Sequence, residues 1–182
     1  MLAKESNEDV ISEAIAALGY IYNPAAAPLI APFADHSNPE IRYSVAHSLG
    51  HFADESASIL GLTKLIDDPD KEVRDWAIFG IGTQGNADSE DLRLRFIAHL
   101  DDPYFDARQE AAGALAKRHD IRVVAPLISM LKRYGDIVCL CEAARDLLHI
   151  EDRPIDWYAT EYVAALEAAF PEQATNTANP PL

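Results

Sequence analysis

His47 and His51 stand four residues apart, the spacing at which two imidazoles on one helix can share a zinc ion. The intervening Ser48-Leu49-Gly50 lacks the glutamate of a His-Glu-x-x-His hydrolase site, and no third ligand is spaced to join the pair. Gly50 is expected to end the helix before His51, so no metal site is expected. The two cysteines, Cys139 and Cys141, diverge on a helix, Cys141 outward and Cys139 inward, which excludes both a mutual disulfide and a Cys-x-Cys clip. Gly80-Ile81-Gly82-Thr83-Gln84-Gly85 has the outline of a phosphate loop, yet it closes a helix where the dinucleotide fingerprint must open one. No cofactor and no catalytic residue is expected, because no nucleophile, base and orienting group recur together. The short basic pairs Arg93/Arg95, Lys117/Arg118 and Lys132/Arg133 are expected as solvated helix ends.

One charged residue does recur in phase. Arg42, Arg74 and Arg108 lie at offsets of 32 and 34 residues, each inside a stretch with small or apolar residues at −1, +3, +4 and +7. That spacing is one face of a helix. An aspartate stands seven positions before each arginine (Asp35, Asp67, Asp101), and a proline falls in each gap (Pro39, Pro69, Pro103). An arginine beside an apolar stripe needs a partner, so these acids and arginines are expected to form a ladder within or between adjacent units. Asn38 and Asp70 have the chemistry of N-caps, and Gly50 and Gly82 sit where a helix commonly ends.

The elements that must position these residues alternate in pairs. First helices are expected over Pro24–Ala34, Glu55–Ile66, Asp88–Leu100 and Ile121–Arg133, and the helix pairs span 24–51, 55–84, 88–118 and 121–149. The fourth pair carries Leu140 in place of the arginine. Residues 7–19 form an N-terminal half repeat with Ile11 there, and 155–170 form an amphipathic capping helix. Together these give one domain over 1–170, with 171–182 a flexible tail.

These residues resemble the HEAT-like repeats of the phycobilisome (PBS) lyase type, whose hallmark is an Asp-Pro turn followed by Val-Arg, paired alanines and Leu-Gly. Asp67-Asp68-Pro69-Asp70-Lys71-Glu72-Val73-Arg74 matches best, and the resemblance spans about Asn7 to His149. It implies an all-α, right-handed α-solenoid (an armadillo-like or HEAT-like superhelix) of about four helix pairs with capping helices. It also implies a protein-binding surface, since catalysis is confined to a few members. Deoxyhypusine hydroxylase, an enzyme branch with a similar scaffold, depends on His-Glu pairs. The matching positions here hold Tyr43-Ser44, Asp75-Trp76 and Gln109-Glu110, so its iron chemistry is not expected.

In repeats of this kind the positions +1, +2, +5 and +9 from the arginine line the concave face, where partners bind. The residues expected to contact a partner are Tyr43, His47, Trp76, Phe79, Glu110, Glu142 and Arg145. Trp76 and Phe79 are i, i+3 neighbours: either they form an interface hot spot, or Trp76 packs between adjacent second helices.

Charge narrows the partner. Fifteen basic against thirty acidic side chains leave a net −15, which opposes binding to nucleic acid or anionic lipid and favours a protein or peptide with some basic character. The N-terminus lacks the basic start and apolar run of a secretory signal, and no stretch approaches the roughly 20 apolar residues of a membrane span. A cytoplasmic protein is therefore expected. The alternative to a non-catalytic binding module is a component of a bilin-lyase-like enzyme or cofactor-modification system, which rests on the resemblance alone.

Overall fold

Helix starts follow from cap chemistry. Asn7 accepts hydrogen bonds from the N–H groups of Asp9 and Val10, Asn38 from Glu40, Asp70 from Glu72 and Val73, and Ser89 from Leu92. In the computed structural model, which describes residues 5–152 and 156–175, all elements are helical. As expected for an α-solenoid, no strand occurs among the described residues.

The chain divides into two compact units, Met1–Ala87 and Asp88–Leu182. The first holds α1 (Glu8–Tyr20), α2 (Ala27–Ile30), α3 (Pro39–Gly50), α4 (Ser56–Leu65) and α5 (Lys71–Ile78). The expected continuous helix over Pro24–Ala34 is broken into a 3-10 turn at Pro24–Ala26, the single turn α2, and a second 3-10 segment at Ala31–Asp35. Pro28 and Pro32 lack the N–H groups a regular α ladder needs. Ile15, Ile30, Ile41, Leu49, Leu62 and Ile78 are among the fully buried side chains of this unit. Gly82 does not end its helix. α5 widens into a π-helical segment over Phe79–Gln84, closed by Gly85 N–H donating to Gly80 O at 2.9 Å.

The second unit holds α6 (Glu90–His99), α7 (Phe105–Lys117), α8 (Val124–Tyr134), α9 (Val138–Leu148), α10 (Ala159–Ala169) and α11 (Pro171–Ala174). α10 packs on α8 and α9, with Tyr162 and Leu166 fully buried. It starts four residues later than expected, where Glu161 accepts a hydrogen bond from Tyr158 N–H, and Trp157 lies before the helix with its ring 5.2 Å from that of Tyr162. The expected start at Ile155 and residues 176–182 of the expected tail lie outside the described residues. Residues 171–174 of that tail form α11.

The arginines are structural, but the expected partners are one residue out. The residue that matters stands six positions before each arginine, and it is His36, Asp68 or Asp102. Asp68 receives Arg42 of the preceding repeat through Nε at 2.7 Å and Nη2 at 2.9 Å. Its own backbone carbonyl accepts from Arg74 at 2.9 Å, and its carboxylate also accepts from Asp70 N–H. His36 and Asp102 hold the equivalent place, their carbonyls accepting from Arg42 and Arg108 and their side chains from the N–H two residues on. One residue thus closes the turn, anchors its own repeat's arginine and, at Asp68, ties two repeats together. Asp35 instead pairs with exposed Lys64.

The cysteines reverse the expected order: Cys139 is exposed and Cys141 buried. Leu140, standing where other copies have arginine, is fully buried. Gln109, at the position of α7 that matches Cys141, is buried as well, so this position turns inward in both copies.

Candidate functional site

Four of the seven expected contact residues meet in the first unit. The ring centroids of His47 and Trp76 are 4.6 Å apart, those of Tyr43 and Trp76 6.1 Å, and those of Trp76 and Phe79 5.6 Å. All four side chains are half-buried. The Trp76 ring packs on residues of the neighbouring second helix α3 and still keeps part of its surface open. Edge-to-face contacts, at 82° with Tyr43 and 90° with Phe79, direct the positive ring edge of one onto the negative face of another.

The helix α3 itself ends at Gly50, as expected. His51, the C-cap that follows Gly50, joins this group with φ −67° and ψ −14°, so the chain has not yet turned away from the face of α3. Its ring lies 5.2 Å from that of His47, and its Nδ1 is 3.1 Å from Gly19 O. Burial, then the neighbouring His51, hold the His47 imidazole below the ordinary histidine range. Among the described residues no group of three or more His, Cys, Asp or Glu side chains gathers where a metal ion could sit.

Two further rings were not anticipated. Tyr20 and Tyr22 are 63% and 66% exposed, and both lie against His51, at 5.8 and 5.0 Å. Tyr20 stands nine residues after Ile11, so the register used for α3 and α5 would have found it. Tyr22 sits in a left-handed conformation with φ 53°, which turns its ring back to stack on His51 at 23°. No periodicity signals that reversal.

The other three residues lie in the second unit. Glu110 of α7 is half-buried and Glu142 of α9 exposed. After burial, their charges help hold the Cys139 thiol above its ordinary range. Arg145 of α9 is half-buried and donates through Nη2 to Glu151 O at 3.0 Å. That guanidinium is tied to the turn following its own helix. Gln109 and Cys141, both at the +1 position, are buried rather than facing outward. No helix among the described residues is long and apolar enough to cross a membrane.

Known proteins agree with this architecture. A family model described as HEAT repeats matches residues 1–61 and 59–147. The chain is similar to protein YibA of Escherichia coli strain K12, with 33% identity over 130 residues that make up 70% of the chain and 45% of YibA. YibA of Escherichia coli O157:H7 matches to the same extent, so the chain spans under half the length of these curated relatives. The X-ray structure of Escherichia coli YibA superimposes with a TM-score of 0.70 at 26% identity, covering 92% of this chain and 65% of that one. HEAT repeats commonly serve as protein-interaction scaffolds. With the phased arginine turns, the paired helices and a family match over most of its length, the chain belongs to the HEAT-repeat family.

Proposed function

We propose that the chain is a non-catalytic protein-binding module that grips a segment of another protein on the exposed face of its second helices, the face that is concave in repeats of this kind. The observation that carries this reading is the half-buried aromatic group of Tyr43, His47, Trp76 and Phe79, extended by exposed Tyr20 and Tyr22. Large rings that keep open surface while held by their neighbours lose little freedom on binding, which is why Trp and Tyr dominate interface hot spots. Glu110 and Glu142 add negative charge, in keeping with a partner of some basic character. Within the HEAT family, the Asp-Pro, Val-Arg and paired-alanine pattern supports the PBS-lyase-like subtype.

Capture of partners from the native host, with wild-type chain and with Trp76→Ala plus Phe79→Ala, tests the face. Loss of the captured protein by at least about tenfold is expected, the size of one hot spot. Undiminished capture by a folded double variant would move the interface elsewhere.

A further inference from the structure

The first unit carries both an aromatic cluster and an acidic cleft. Tyr43 and His47 lie with planes 19° apart, and Trp76 stands at 82° to one and 64° to the other, so three π systems converge on one corner. Toward the N-terminal ends of α1 and α3, a cleft of about 280 Å3 is lined by Glu8, Asp9, Glu13 and Glu40 together with Ser12 and Asn38. Residues 1–87 hold five basic and thirteen acidic side chains, a net −8. The basic groups of this unit are largely committed. Arg42 is spent on Asp68 and two carbonyls, Arg74 reaches the carbonyls of Asp68 and Pro69, and Lys64 pairs with Asp35.

We propose that this unit takes an extended peptide segment bearing at least two basic side chains. One guanidinium or ammonium group sits against Tyr43, His47 and Trp76, and a second enters the cleft of Glu8, Asp9, Glu13 and Glu40. The proposal rests on the docking reading above and specifies what is docked. Ring faces attract a cation through their quadrupole, most strongly where water is partly excluded, as it is around these half-buried rings. His47 contributes a π face without a charge at neutral pH, since its pKa is held down. The four cleft carboxylates supply the longer-range attraction that a neutral apolar peptide would not feel.

The chain has two tryptophans, so Trp157→Phe leaves Trp76 as sole reporter. In that background the probes are a capped nonapeptide alternating serine with arginine and its counterpart with citrulline, which keeps the shape and removes the charge. A saturable change in Trp76 emission is expected with the arginine peptide, weakened at least about tenfold with citrulline. Tyr43→Leu and Glu13→Gln plus Glu40→Gln, each checked for folding by circular dichroism, should each weaken it as well. Equal binding of both peptides would overturn the cation assignment while leaving a docking face in place. Silence of Trp76 toward both would overturn it too. Partner capture lost in Trp76→Ala plus Phe79→Ala would then show that the docking reading survives alone, and capture retained there would end both.

Discussion

Asp68 does three jobs with one side chain and one carbonyl, and each depends on the others. Its carboxylate is nearly buried, as is the guanidinium of Arg42, at 5% and 12% side-chain exposure. Removing either partner strands a charge in a poorly hydrated site. Arg42→Ala is expected to lower stability by about 2–3 kcal/mol, read as a fall in the urea midpoint at unchanged slope. Lys64→Ala, which breaks the exposed pair with Asp35, should change it by less than about 1 kcal/mol. Similar losses from both would show that the arginine ladder is not what ties the repeats. Recurrence announced the arginines and their acidic turns, but two of the three turns offer adjacent acids, Asp67-Asp68 and Asp101-Asp102. Choosing between them needs the path of the backbone through the turn, which spacing does not encode.

His47 gives the residue scale a pH signature. Its folded pKa lies below the unfolded value of 6.5, so protons bind the unfolded chain first on acidification. The stability it contributes is whole above about 6.5 and is lost as pH falls through that value toward the folded pKa. Thermal melts between pH 8 and 5 should therefore show a falling midpoint that His47→Gln flattens. An equally steep fall in the variant would assign the effect to other groups.

At the scale of elements, close approach is set by small residues. A Cβ on Gly19 of α1 would lie 2.7 Å from the Ser48 hydroxyl, 2.8 Å from its Cβ and 3.1 Å from its Cα. Rotating the serine does not remove the last two, so α1 and α3 must move apart. Gly19→Ala should cost about 1–3 kcal/mol despite its better helix propensity. Differential scanning calorimetry reads this directly, and a neutral or stabilising result would mean the two helices slide without penalty.

In the second unit, the segments before α6 and α8 are fastened by charge. Arg93 binds Asp88 at 2.6 Å and Asp120 at 3.4 Å, and Arg122 binds Asp120 at 2.5 Å and Glu90 at 2.7 Å. The hydrogen bond from Arg93 holds the Asp88 carboxyl below its ordinary range, and that from Arg122 does the same for Asp120. Their stabilisation is present above the usual carboxylate value and is lost as pH falls through the lowered values. Asp120→Asn should remove part of the acid-induced loss of helical circular dichroism below about pH 4. An unaltered acid transition in that variant would exclude Asp120 as a contributor.

For the whole molecule, a net charge of −15 over 182 residues makes self-repulsion a general cost of the folded state. Screening shortens the reach of that repulsion to roughly 8 Å at physiological ionic strength. Moderate sodium chloride is expected to raise the melting temperature while weakening capture of a basic segment. Salt that lowered the melting temperature would show the internal ion pairs outweighing the repulsion.

What the sequence alone determined was the periodic part. Phased arginines, N-caps at Asn38 and Asp70 and apolar stripes at helical spacing are local or recurrent signals, and they identified helix pairs and the family. The tertiary structure decided what depends on a neighbouring turn or backbone conformation: Asp68 rather than Asp67 as partner of Arg42, Cys141 turned inward, and Tyr22 folded back onto His51. Spacing along one helix fixes which residues share a face. Which rings and charges meet across two helices is set by packing, and packing involves residues about thirty positions apart.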